Sequence, residues 1–220
     1  MVGRSVTRRP PVSLCGQVAL AAAAAFALLT AATLRATHGL LPGDAALHHW
    51  SLTHRSAAAV ALFRAVTATG TGVIPFAAVV LAGLSVGGTI RRRVITAASL
   101  ALCLGSAQVL RYGVMTRVAR PRPPLADWAT HASGWSFPSG HATTGAITAG
   151  LLIAALRLRG PRIPRVAAVL IGMWGAAVGL SRIYLGVHWF SDVVGGWLFA
   201  AAWLALTVCA YLLAGRGTVR

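Results

Sequence analysis

Six apolar runs, each near the length a helix needs to cross a lipid bilayer, constrain this chain more than any other feature. They are Leu14–Leu34, Gly72–Thr89, Val94–Met115, Ala142–Leu156, Val166–Ile183 and Val193–Leu213. A hydrocarbon core of about 30 Å takes roughly 20 residues of helix. The runs therefore predict an all-α, polytopic membrane protein with six transmembrane helices in a single domain. The fourth run is short and starts at a Gly-His pair. The first follows Arg4, Arg8 and Arg9, as a secretion signal would. It is longer than a signal core and no clear A-x-A site follows, so it is expected to remain as an uncleaved helix. Ser56–Thr67 is also apolar but carries Arg64, and is expected to lie as a helix at the membrane interface.

Composition narrows the class further. Hydrophobic residues make up 57% of the 220 and charged residues 10%, against about 25% charged in a soluble domain. So few charges cannot cover the surface of a water-soluble fold of this size. The net charge of +17 raises nucleic acid as a partner. The arginines, however, sit between apolar runs and no reading module is visible, so no nucleic-acid partner is expected. Cys15, Cys103 and Cys209 have neither metal-ligand nor disulfide-framework spacing and read as small packing residues. No internal repeat is evident.

The basic residues set an orientation. All 20 are Arg, there is no Glu, and the three acids are Asp44, Asp127 and Asp192. Arg4, Arg8 and Arg9 precede the first span and Arg91, Arg92 and Arg93 separate the second from the third. Arg157, Arg159, Arg162 and Arg165 separate the fourth from the fifth, and Arg216 and Arg220 follow the sixth. With six spans all four segments share one side, which the positive-inside rule makes cytoplasmic. Both termini then face the cytoplasm, residues 1–13 forming a short basic tail. The other side receives Arg35–Thr71, Thr116–His141 and Tyr184–Asp192, which hold every Asp and all seven His. Reactive side chains are thus expected on the outer face of a plasma or inner membrane.

Three clusters meet on that face: Arg120-Pro121-Arg122-Pro123-Pro124, Pro138-Ser139-Gly140-His141, and Ser181-Arg182 with His188 and Asp192. A helix opening on Ser139-Gly140 turns free N–H groups toward an anion. Arg122 and Arg182 add forked donors that match phosphate oxygens. His188 and Asp192 are four residues apart, on one face if helical, so the carboxylate can fix the imidazole tautomer. His141 is a second imidazole available as acid or base. Together these make an anion cradle, an oriented nucleophile and a proton donor.

The motifs Pro138-Ser139-Gly140-His141 and Ser181-Arg182-x5-His188-x3-Asp192 resemble those of the type 2 phosphatidic acid phosphatase family, related to the vanadium haloperoxidases. Arg122-Pro123 resembles the end of that family's first motif. The resemblance covers about residues 44 to 213. It implies a metal-independent, cofactor-free phosphatase that hydrolyses a lipid monophosphate or diphosphate. Phosphatidic acid, phosphatidylglycerophosphate and a polyprenyl diphosphate are the substrate types. It further implies that His188 becomes phosphorylated, Asp192 orients it and His141 serves as acid and base. Arg122, Arg182, Ser139 and the Gly140 backbone hold phosphate oxygens.

One position departs. The first motif of the family opens on Lys seven residues before the arginine, where this chain has Met115. Arg111, one helical turn earlier, and Arg117, two residues later, are the available cations; Arg111 is the expected replacement because it shares a helix face with Met115. The departure keeps a non-hydrolytic lipid-phosphate binder or transporter in view, and a phosphotransferase on the same fold is a separate alternative. Among the other outer residues, His38, His48, His49 and His54 are read as interfacial and Asp44 as a helix cap. Trp50, Trp128, Trp135 and Trp189 fit an aromatic belt, and Asp127 and His131 are candidates for the site mouth.

Overall fold

The computed structural model describes residues 12–36, 40–160 and 165–217. Eight α-helices run in the order α1 (Val12–Arg35), α2 (Asp44–Thr53), α3 (Ala57–Ala68), α4 (Val73–Leu84), α5 (Ile90–Val118), α6 (Gly140–Arg159), α7 (Arg165–Tyr184) and α8 (Phe190–Gly217), with one 3₁₀ turn at Leu125–Asp127. The chain is all-helical among the described residues and is a multi-pass membrane protein. Five helices (α1, α5, α6, α7 and α8) are long and apolar enough to cross a bilayer, and α3 with α4 forms a bent pair that passes the same test together, kinked by 52°. Of the basic tail at 1–13, residues 1–11 lie outside the described residues, as do His38, Arg162 and Arg220.

The second span differs from the expected Gly72–Thr89. Only Val73–Leu84, 12 residues, is helical there, about 18 Å at 1.5 Å per residue, too short to cross alone. Helix α3 supplies further apolar length ahead of it, and the bent pair passes the test together as a broken span or a re-entrant loop, so Ser56–Thr67 does not stand apart as a separate surface helix. Ser56 N–H meets the Tyr184 hydroxyl at the end of α7, while the Trp174 indole N–H, further back along α7, donates to Thr69 Oγ1 at the end of α3. Helix α3 therefore runs antiparallel to α7, from the site end of the molecule toward its middle. The break falls at Thr69-Gly70-Thr71-Gly72. A Cβ on Gly70 would stand 2.2 Å from Val178 Cγ1, and Gly72 has φ +70°, so both positions call for glycine. A broken helix is tolerated in a membrane where the freed backbone lines a cavity, and Thr71 lines one here.

Helix α6 is the central post. Half of its apolar window is buried, against 17% for α5 and α8. It crosses α7 closely because Gly145 and Gly175 face each other, a Cβ on either meeting the other's carbonyl oxygen at 3.2 or 3.0 Å. Small residues of this kind let membrane helices approach where no hydrophobic drive pulls them together. Val79, Leu104, Ile147, Leu151 and Phe199 fill the core between α4, α5, α6 and α8. Helix α1 lies on α8, with Phe26 stacked on Phe137 and edge-on to Phe199. Cys209 Sγ approaches the Val12 carbonyl, which places the start of α1 beside the end of α8. Cys15, Cys103 and Cys209 are free thiols.

Candidate active site

At one end of the bundle, the loop between α5 and α6 folds back over the start of α8. His188, 2% exposed, sits just ahead of α8. Its Nδ1 faces Asp192 Oδ2 at 3.3 Å and its Nε2 receives an N–H from Arg122 at 2.8 Å. A guanidinium only donates, so Nε2 carries the lone pair and Nδ1 the proton directed at Asp192. Burial is the main cause that pushes the His188 imidazole down to about 4, against the hydrogen bond it donates to Asp192, which raises it. The ring is therefore neutral at neutral pH, with its basic nitrogen turned toward Arg122. Burial likewise lowers the Arg122 guanidinium, to about 10, which leaves it charged. Arg122 also donates to the carbonyls of Ser133, Gly134, Trp135 and Val187, and so closes the loop around itself.

Asp192, fully buried, is held on every side. Oδ2 accepts from the Ser136 hydroxyl and from Trp189 N–H, while Oδ1 accepts from Arg120 at 2.6 Å. The Asp192 carbonyl accepts the Ser139 N–H, which ties the start of α8 to the start of α6. Gly186 makes the tight approach possible: it has φ +72°, and a Cβ there would strike Arg55 and the Asp127 carbonyl.

A cavity of about 650 Å³ opens over these groups. Of the residues named from sequence, Arg111, Arg122, Gly140, His141, Arg182 and His188 line it, as does His131. Asp192 stands behind His188. Ser139 is not in the wall; it is buried, and its hydroxyl accepts from Ala142 N–H as the cap of α6. His141 Nε2 pairs with Thr71 Oγ1 at 3.3 Å, and Arg182 donates to Thr67 Oγ1 at 3.0 Å. The Nε atoms of Arg111 and Arg182 are buried with no partner, two donors at the wall of one cavity. The Arg111 guanidinium reaches the place where a Gly140 Cβ would stand, 3.4 Å away, and contacts Met115 Sδ. Arg117 is exposed and does not line the cavity. Phe76, Tyr112 and Met115 supply an apolar flank.

Sequence reasoning missed several of these partners. Thr67 lies in the last turn of α3 and Thr71 in the break after it, between an expected interfacial helix and the start of an expected span. Asp44 does not cap its own helix, since Gly43 is the N-cap of α2; its carboxylate instead accepts the first-turn Ser191 N–H of α8 and binds Arg120 and the Ser191 hydroxyl. Asp127 is not in the cavity wall but pairs with His48 at 2.9 Å. Its scarcity was the available signal, since the chain has only three acids. Of the tryptophans, Trp50 and Trp135 are exposed, whereas Trp128 and Trp189 donate to the Pro123 and Pro121 carbonyls and brace the loop. Among the described residues no group of three or more His, Cys or acidic side chains is arranged to hold a metal.

Comparison with known proteins follows the same lines. The model of the PAP2 superfamily matches residues 96–216. The chain is 33% identical over 98 residues to phosphatidylglycerophosphatase B of Bacillus subtilis, covering 43% of this chain and 48% of that one. It is 37% identical over 91 residues to the lipid A 1-phosphatase of Rhizobium johnstonii, covering 41% and 34%. The chain thus spans about half or less of the length of these curated relatives. The crystal structure of a transmembrane PAP2-type phosphatidylglycerolphosphate phosphatase from Bacillus subtilis superposes with a TM-score of 0.72 at 23% identity, over 88% of this chain and 94% of that one; this is a likeness of fold.

Proposed function

Because the chain belongs to the PAP2 superfamily, we propose that it is a membrane phosphatase that removes phosphate from a lipid monophosphate or diphosphate through a phosphohistidine at His188. The observation that carries this reading is the His188 ring itself: neutral, Nε2 basic, backed by Asp192, and sharing one cavity with Arg111, Arg122, Arg182 and His141. The phosphoryl group sits among the arginines, which spread their charge over its oxygens. The free Nε–H groups of Arg111 and Arg182 and the first-turn N–H groups of α6 are the open donors for it. Ser139 acts there through its backbone position, since its hydroxyl already caps α6.

His188 Nε2 attacks phosphorus as the bond to the lipid oxygen breaks, and His141 gives that oxygen its proton. Asp192 stabilises the positive charge that appears on the imidazole. A water then attacks the phosphohistidine, His141 takes its proton, and the P–N bond breaks to release inorganic phosphate. The apolar flank of Phe76, Tyr112 and Met115 suits the first carbons of a lipid beside its headgroup. The arginines at the opposite end support a site on the outer face of a plasma or inner membrane.

Purified protein in detergent is expected to release phosphate from phosphatidic acid, phosphatidylglycerophosphate or a polyprenyl diphosphate, with His188→Ala abolishing turnover. Binding without release from any of the three would favour a carrier instead. Phosphate appearing on an added alcohol acceptor, and not in water, would favour a transferase.

A further inference from the structure

Two of the three acids in the chain, Asp44 and Asp192, converge on one buried arginine. Arg120 NH2 donates to Asp44 Oδ2 and NH1 to Asp192 Oδ1, both at 2.6 Å. Ser191 bridges them, its hydroxyl contacting Arg120 NH1 and both Asp44 oxygens while its N–H donates to Asp44 Oδ1. The Arg120 side chain is 2% exposed and both carboxylates 0%. None of Asp44, Arg120 and Ser191 lines the cavity. Such a buried ionic set is a weak source of stability, because desolvation offsets the attraction; its geometry points to another use.

We propose that Asp44 and Arg120 are positioning residues for His188, acting through Asp192. Arg120 pins Oδ1, which leaves Oδ2 to face the imidazole. Asp44 matches the charge of Arg120, so that Asp192 presents a net negative charge to the cation that forms on His188 when phosphorus is attacked. Without Asp44 the Arg120–Asp192 pair would be close to neutral toward the ring. Two elements distant in sequence, the start of α2 and the Arg-Pro loop, are thereby coupled to the nucleophile. The inference rests on the phosphohistidine reading above.

The groups that set the charge balance at His188 come from every neighbouring element. Asp192, Arg120 and Asp44 stand behind the ring. Arg122 and Arg182 act on it from the cavity side, and His141 interacts with it from α6. His48 on α2 packs against Trp189 at 5.2 Å. Only Asp44 and Asp192 supply negative charge to this group, Asp127 being paired with His48.

The test is Asp44→Asn and Arg120→Lys, each assayed against the best lipid phosphate of the panel, with His188→Ala as reference. Asp44→Asn is expected to lower kcat about ten-fold or more while KM stays within about two-fold. The acid limb of kcat/KM should move to lower pH, because the imidazolium has lost a stabilising charge. Arg120→Lys keeps the charge but cannot fork to both carboxylates; kcat falls by a similar factor, again with KM held. Wild-type kcat in folded Arg120→Lys overturns the inference. So does a slow Asp44→Asn whose acid limb has not moved, the result expected of a merely structural defect. If Asp44→Asn does not fold, the KM-against-kcat split in Arg120→Lys decides. An inactive wild type, or an active His188→Ala, sinks the phosphohistidine reading itself and is told apart by that reference.

Discussion

Arg122 fixes the His188 tautomer by donating to Nε2, and burial lowers the pKa of that imidazole to about 4. The folded ring is therefore neutral above about pH 4, where an ordinary imidazole protonates near 6.5. In the proposed mechanism the neutral form is the nucleophile, so activity is expected to be retained as pH falls until that lower value is reached. At pH 5.5 an ordinary imidazole would have lost about ten-fold of its neutral form, whereas this one has lost almost none. A kcat/KM profile from pH 4 to 8 is expected to show its acid limb near 4; a half-maximum near 6.5 would contradict the assignment. The spacing of His188 and Asp192 made the pair legible from sequence, but the lowered pKa was not, because it comes from a loop folding back some 66 residues away in sequence. The replaced lysine can be argued at the same scale. Arg111 lines the cavity with an unpartnered Nε, and Arg117 is exposed and does not line it. Arg111→Ala is expected to raise KM and lower kcat/KM by about 10- to 100-fold, the worth of a hydrogen bond to a charged group, while Arg117→Ala changes either by less than about two-fold. Steady-state kinetics on the two variants decides the choice.

Among the elements, the α3–α4 break had the weakest sequence signal and supplies two site hydroxyls. Apolar periodicity and length identify a straight span, and five of the six expected spans appear as single helices with ends within a few residues of those read from sequence. The remaining run, Gly72–Thr89, differs because a bent helix pair reads in sequence as a short run beside an amphipathic one, and Arg64 strengthened that impression. Arg64 instead reaches the Ala129 carbonyl on the covering loop, so its charge is satisfied at the site end of the molecule. The break depends on Gly70, where a Cβ meets Val178 Cγ1 at 2.2 Å. Val178 is β-branched and cannot swing aside easily. Gly70→Ala is expected to destabilise by about 1–3 kcal/mol and, by shifting Thr67 and Thr71, to lower kcat/KM as well. Val178→Ala in the same chain removes the clash. Thermal unfolding in detergent should then show Tm recovered in the double variant; a Gly70→Ala protein with unchanged Tm would mean that the break does not need glycine.

At the scale of the molecule, the family model begins at residue 96, yet Asp44, Thr67 and Thr71 all come from before it. The part of the site that was legible lies in motifs contiguous in sequence, and the part that was not lies in helices brought to it by packing against α6, α7 and α8. The two ends of the bundle also differ in charge. The three acids and every described His lie at the cavity end or beside it, and Arg91, Arg92, Arg93, Arg157, Arg159 and Arg165 lie at the other. Positive segments are retained in the cytoplasm, and this is the basis of the proposed outward-facing cavity. Leu125, 74% exposed on the covering loop, and Gly87, in open space in the α4–α5 turn, report the two ends without touching the site. In a chain with its three cysteines replaced by alanine, Leu125→Cys is expected to react with an impermeant maleimide added to intact cells. Gly87→Cys should react only after the membrane is opened. The reverse pattern would put the arginines outside and the cavity in the cytoplasm, and the substrate would then have to reach the site from the inner leaflet.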